Sequence, residues 1–79
     1  MKDIDVRIEI RYNHLKIYLD DILHLSIQVE EIVGIQSYLI GKDYYHIDYF
    51  TKSTTIDCRY TRKDIWKKIL KGLDEISLI

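Results

Sequence analysis

The sequence predicts an α+β fold in which five or six antiparallel strands form one curved meander sheet, packed by a single C-terminal helix. Apolar and polar residues alternate over most of residues 3–60, which is the period of half-buried strands. Near residue 61 the period becomes that of an amphipathic helix. A helix that follows the strands can cover the apolar face that they share.

The composition indicates a folded globular chain without disulfides. Of the 79 residues, 47% are hydrophobic and 32% are charged, with no proline and one cysteine. These values exclude disordered, collagen-like and linker-rich classes of protein. Because a lone cysteine cannot pair within the chain and no signal peptide is visible, we expect a cytoplasmic protein. We also expect a single domain over residues 1–79, no membrane span and no cofactor.

The first two strands are predicted from strict alternation. In residues 3–12, β-branched apolar residues alternate with charged residues. The next two residues, Asn13 and His14, favour a two-residue hairpin turn, since Asn tolerates positive φ. In that register Tyr12 opposes Leu15 and belongs to the apolar face.

A third strand is predicted over residues 23–29, after a turn at Asp20 and Asp21. The alternation places Leu23 on the apolar side of this strand. It places His24 on the outer side, where a histidine would be solvated.

Three further strands are predicted over residues 32–40, 44–51 and 54–60. The glycine inside the first of these predicts a bulge or a sharp bend. A three-residue loop then sets the register of the next hairpin, so that Ile40 opposes Tyr44.

A C-terminal helix is predicted over about residues 62–76. Thr61 and Asp64 resemble a capping box, in which the Thr61 hydroxyl accepts from the Asp64 amide. Gly72 lies at the edge of the apolar stripe, where a small residue lets a strand approach closely. The stripe consists of Ile65, Trp66, Ile69, Leu70, Leu73 and Ile76.

The layout of strands followed by one capping helix resembles small bacterial pleckstrin-homology-like domains. The similar segments are YHIDYF (45–50), TIDCRY (55–60) and TRKDIW (61–66). The resemblance implies a shared architecture. It implies no site residues, because the short first hairpin loop lacks the basic side chains that hold phosphoinositides.

The predicted outer face of the sheet is more apolar than a freely exposed face should be. Its candidate interface residues are Tyr18, Tyr38, Ile40, Tyr44 and Phe50. Scattered cross-strand pairs would explain the pattern, and so would a partner that covers this face. We therefore predict a non-enzymatic protein-interaction module that forms a homodimer or binds another protein.

A basic stretch supports an alternative function. Residues 59–71 contain six basic residues and one acidic residue. An anion- or nucleic-acid-binding domain could use this stretch. The residues it would use are Arg59, Arg62, Lys63 and Lys67. The solvated back of an amphipathic helix, with an Asp64–Lys68 ion pair, explains the same pattern. Since the net charge is −1, nucleic acid is not the expected partner.

One group of polar residues has the chemistry of a metal site. His46 and Asp48 share a strand face, and the predicted register places Arg59 and Asp57 opposite them. A His/Asp/Asp set suits a divalent ion. An exposed face on which Arg59 bridges the two acids explains the pattern without a metal, and that is the prediction.

We also predict that the protein is not an enzyme. Cys58 falls on the apolar face, where a cysteine packs as a small hydrophobic residue. A nucleophilic cysteine needs a base or a positive charge nearby, but Arg59 and His46 are predicted to point to the opposite face. The sequence contains no glycine-rich phosphate loop or nucleophile-elbow motif.

Overall fold

The structure, a computed structural model, describes residues 2–79; Met1, part of the predicted domain, lies outside the described residues. The strands are β1 Val6–Arg11, β2 His14–Leu19, β3 Ile22–Gln28, β4 Ile32–Ile40, β5 Tyr44–Thr51 and β6 Thr55–Tyr60, with a 3-10 helix at Val29–Glu31 and α1 at Lys63–Glu75. The predicted α+β class is confirmed. No helix within residues 2–79 combines the length and apolar character needed to cross a bilayer.

The strands form two sheets, which corrects the prediction of one curved sheet. The N-terminal sheet has the order β1–β2–β3 and the C-terminal sheet has the order β4–β5–β6, with antiparallel neighbours throughout. The break lies at the 3-10 helix, where the Val29 amide donates to the Asn13 carbonyl at 2.7 Å. Because this short helix interrupts the extended backbone, β3 and β4 belong to different sheets.

The first hairpin turns one residue earlier than predicted. Tyr12 and Asn13 take up the two positive-φ positions, at 52° and 61°. Ile10 therefore opposes Leu15, in place of the predicted Tyr12. This shift of two residues keeps the predicted apolar face inward, because side chains repeat every two residues. It leaves Tyr12 exposed at the turn instead of on the core face.

A bulge in β3 reverses the predicted facing of the first residues of this strand. Ile17 pairs with Leu25 while Tyr18 pairs with Leu23, so His24 is the extra residue. An extra residue changes which side the flanking residues face. Leu23 is consequently exposed, although it was predicted on the apolar side.

The C-terminal sheet has the predicted register. Ile40 opposes Tyr44, and Ile47 opposes Cys58. The pairing of β4 with β5 shifts immediately before Gly34, which confirms the predicted bulge. These pairings position the polar side chains described below.

Helix α1 packs against β1, β5 and β6 and so covers the apolar sides of both sheets. The buried core consists of Leu15, Ile17, Ile27, Ile47, Tyr49, Tyr60, Ile69 and Leu73. Trp66 packs against this core, and its Nε1 donates to the His46 carbonyl at 3.0 Å. The predicted close approach at Gly72 is confirmed, since a Cβ there would lie 2.5 Å from Ile8 Cδ1.

The helix starts differently from the prediction. Arg62, not Thr61, is the N-cap residue, and its side chain makes no capping bond to the described backbone. The Arg62 guanidinium instead binds the Asp64 carboxylate, with Nε 3.1 Å from Oδ1. This hydrogen bond lowers the pKa of Asp64.

Candidate functional site

The outer face of the C-terminal sheet carries most of the candidate side chains. Strand alternation places these side chains opposite the core residues Ile47 and Tyr49. They are Tyr38 and Ile40 on β4, Tyr44, His46, Asp48 and Phe50 on β5, and Asp57 and Arg59 on β6.

The centre of this face is buried, which corrects the prediction of an exposed sheet face. His46 is 6% exposed and Asp48 is 9% exposed. The Tyr38 ring stacks on the His46 ring, with centroids 4.8 Å apart and planes 7° from parallel. Tyr38 is the direct cross-strand partner of His46, so the register brings the two rings within reach, and the side-chain conformation of Tyr38 places its ring over His46.

The two carboxyl groups at this centre have pKa values that are shifted in opposite directions. His46 Nδ1 lies 3.0 Å from Asp57 Oδ1, and this hydrogen bond lowers the pKa of Asp57. Burial raises the pKa of Asp48, which faces Asp57 across the strands. Among the described residues, Arg59 does not form the predicted bridge between Asp48 and Asp57. Its guanidinium lies instead over the Tyr44 ring, 5.0 Å from the centroid.

One end of the face is apolar and open. Ile40 and Tyr44 are cross-strand partners that remain 53% and 43% exposed. At the opposite end, Phe50 packs above Gly34, where a Cβ would come within 3.7 Å of the Phe50 ring. Phe50 is therefore partly buried by its own sheet, and the open apolar surface lies at the Ile40 end.

The predicted interface residues do not form one surface. Tyr18 belongs to the N-terminal sheet, whereas Tyr38, Ile40, Tyr44 and Phe50 belong to the C-terminal sheet. The guanidinium of Arg7 lies 4.1 Å from the centroid of the Tyr18 ring. This cation–π contact gives Tyr18 a partner within its own sheet.

The four predicted anion-binding residues lie in different surroundings. Lys63 and Lys67 are exposed on α1. Arg62 forms an ion pair with Asp64. Arg59, on the outer side of β6, extends over the ring of Tyr44. The four residues therefore do not form one cluster, and two of them are exposed lysines on the helix.

An ion pair predicted within the helix is replaced by one to the N-terminal segment. Lys68 Nζ donates to the Asp3 carboxylate at 2.7 Å and to the Ile4 carbonyl at 2.8 Å. The predicted partner of Lys68 was Asp64. The contact ties the helix to the residues that precede β1.

Cys58 lies beside the core, as predicted. The thiol is free and partly buried, and burial raises its pKa. A raised pKa reduces the thiolate fraction that a nucleophile needs.

His24 was predicted on the outer side of β3, but it contacts the other sheet. Its Nε2 lies 2.6 Å from the Tyr60 hydroxyl, and partial burial lowers its pKa. The alternation of β3 missed this contact because the bulge is centred on His24 itself.

A groove of about 530 Å³ runs between β1 and α1. Its lining combines acidic Asp5 and Glu75 with basic Arg7, Lys68 and Lys71. Because acidic and basic side chains are mixed along it, the groove favours neither an anionic nor a cationic ligand.

Comparisons of the chain with protein-family models, with curated proteins and with solved structures find no match. The resemblance to pleckstrin-homology-like domains therefore stays a prediction. The functional proposals below rest on the residues and geometry of this chain.

Proposed function

We propose that this protein is a small non-enzymatic interaction module that self-associates through the β4 surface. We define this surface as the outer edge of β4 together with the exposed apolar side chains along it. These are Val33 at the start of the strand, Leu39 and Ile40 at its end, which face opposite sides of the strand, and Tyr44 at the start of β5. The observation that carries the proposal is that all nine residues of β4, a strand at the edge of its sheet, are uncharged.

Edge strands of soluble proteins are usually protected by charged side chains, by proline or by bulges. β1 contains three charged residues among six, and β6 contains Asp57 and Arg59. The bulge of β4 lies at its start, beside Val33, and leaves Gly34–Ile40 regular. This length of unprotected edge favours pairing with another strand.

A second copy of the chain is the occupant that this surface fits. A two-fold interface places one patch against itself, and an uncharged strand brings no like charges together when it does so. Association also extends a small core, because a chain of this size buries only about 60–65% of its unfolded surface on folding.

β3 is the competing edge. It also contains no charged residue apart from any charge on His24, and it exposes Ile22 and Leu23. Its bulge at His24 lies inside the strand, so regular pairing geometry is restricted to Leu25–Gln28. β4 therefore offers the longer regular edge.

The first prediction concerns Tyr44→Asp. We expect the unaltered protein to be a dimer by light scattering and Tyr44→Asp to be monomeric, because the interface would have to remove a carboxylate from water in place of an apolar ring. The far-ultraviolet circular dichroism should be unchanged, since Tyr44 is exposed at a strand end. Tyr12→Asp is the matched control, because Tyr12 is exposed in the other sheet.

Three outcomes would contradict the proposal. A strictly monomeric unaltered protein removes self-association. A dimer that survives both Tyr44→Asp and Leu39→Lys removes the β4 surface. Dissociation by Leu23→Asp alone assigns the interface to β3 instead.

The anion-binding alternative has weaker support, because its four residues do not share one environment. Its strongest element is the exposed pair Lys63 and Lys67 on α1. Titration with an oligonucleotide at low and physiological salt tests it, since binding to phosphates must weaken steeply as salt rises.

A further inference from the structure

Three side chains with metal-binding chemistry converge at the centre of the outer face of the C-terminal sheet. His46 Nδ1, one oxygen of Asp48 and one oxygen of Asp57 all lie within 4.8 Å of one another. His46 and Asp48 form the buried side of the group, and the Asp57 side chain is 54% exposed. The group therefore has a buried side and a side open to solvent.

A second observation points to a ligand. Asp48 is more than nine-tenths buried, and its Oδ1 has no hydrogen-bond partner among the described residues. Native proteins leave few buried polar atoms without a partner, and such atoms often contact water or an ion. The unpartnered oxygen belongs to the same three-residue group.

We propose that His46, Asp48 and Asp57 bind a divalent transition-metal cation of the Zn²⁺ or Mn²⁺ class. Imidazole and carboxylate ligands together suit these ions, and three protein ligands leave coordination positions for water. The site is independent of the proposed self-association, because it uses none of the four residues of the β4 surface.

The geometry requires small side-chain movements. Metal–ligand distances of about 2.0–2.2 Å place neighbouring ligand atoms roughly 3–3.5 Å apart. His46 Nδ1 and Asp57 Oδ1 are already 3.0 Å apart. Rotation of Asp48 and Asp57 about their side-chain bonds would bring the third atom into range, while the strand pairing holds the backbone in place.

The surrounding charge is compatible with a cation. Two carboxylates face the site, and the nearest cationic side chain on β6, Arg59, extends over the Tyr44 ring. The competing explanation is that a proton shared by the two carboxylates, without a metal, stabilises the group. The two explanations differ in whether a metal binds with a defined stoichiometry.

The test uses the full chain after removal of metals with a chelator. Calorimetric titration with ZnCl₂ and with MnCl₂ should show one saturable site, and Asp57→Asn should weaken it by at least about tenfold. Asp57 is exposed, so this variant should remain folded. Asp48→Asn and His46→Gln should weaken binding at least as much. The matched controls are Asp43→Asn, in the β4–β5 loop, and His14→Gln, in the first turn; both should bind as the unaltered protein does.

A spectroscopic readout locates the ion even where a variant fails to fold. Mn²⁺ added to the unaltered protein should broaden the amide resonances of residues 46–48 and 57–59 before those of the first turn. Mn²⁺ also binds thiols poorly, which separates this site from Cys58. Absence of saturable binding by either metal, or equal weakening by the control variants, would overturn the proposal.

Discussion

At the scale of single residues, Gly72 determines how closely α1 and β1 approach. A Cβ at this position would lie 2.5 Å from Ile8 Cδ1 and 3.1 Å from Ile8 Cγ1. The nearer atom is the end of a flexible side chain, so the contact can relax in part. An alanine at position 72 would therefore improve helix propensity but crowd Ile8, and these two effects change the free energy of unfolding in opposite directions.

We expect Gly72→Ala to be destabilising despite its better helix propensity. Alanine gains about 1 kcal/mol of propensity in a helix interior, whereas overpacking costs about 1–3 kcal/mol. Ile8→Val removes the nearest atom, so Gly72→Ala should cost less, or stabilise, in that background. Urea unfolding of the four members of this cycle measures both effects. Identical effects of Gly72→Ala in the two backgrounds would show that Ile8 is not the obstacle.

The pairing of the candidate site could be predicted residue by residue, but its burial could not. Alternation and loop length were sufficient to place Asp48 opposite Asp57 and His46 opposite Arg59. Burial depends on side-chain conformation, because Tyr38 stacks on His46 while Arg59 turns toward a tyrosine ring. The alternation of a strand indicates which face a residue is on, but it does not indicate whether a neighbouring side chain covers that residue.

At the scale of elements, a predicted bulge and an unpredicted one show what the sequence pattern can and cannot indicate. The bulge in β4 was predicted from Gly34, because glycine in a strand interior is a recognised signal. The bulge in β3 is centred on His24, which gives no such signal. As a result the alternation places Leu23 on the apolar side, although it is exposed, and it does not indicate the contact of His24 with Tyr60.

The bulge in β3 predicts that two apolar residues of this strand contribute differently to stability. Leu23→Ala should change the free energy of unfolding by no more than about 0.5 kcal/mol, as for other surface positions. Ile27→Ala, in the same strand, should cost about 2–5 kcal/mol, because Ile27 lies in the core. Chemical denaturation of the two variants measures the contrast. Comparable losses would mean that Leu23 is buried and that the bulge is misplaced.

At the scale of the whole molecule, the existence of two sheets was the feature that the sequence did not reveal. The acidic 3-10 helix between β3 and β4 looks like an ordinary hairpin break, and both sheets have the same strand period. What distinguishes one sheet from two is the direction the chain takes after the break. That direction is set by tertiary bonds, including Val29 to Asn13 and Lys52 to Glu31.

The bond between His24 and Tyr60 joins the two sheets and should make stability depend on pH. Because partial burial lowers the pKa of His24, the unfolded chain binds a proton more readily than the folded chain below about pH 6.5. Stability should therefore fall as the pH drops from 7.5 to 5.5. Urea midpoints measured across this range should vary less for His24→Gln. His14→Gln should keep the full dependence, and an unchanged slope in His24→Gln would refute the assignment.

The contact of Lys68 with the Ile4 carbonyl joins residues that are 64 positions apart in the chain, and we expect such long-range contacts to form late in folding. Each strand pairs with its neighbour along the sequence, so both three-stranded units can form through short loop closures at small entropic cost. The helix has no complete docking surface until both units exist, because its contacts come from β1 as well as from β5 and β6. We therefore expect helix docking to be the long-range step that joins the two halves into one cooperative unit.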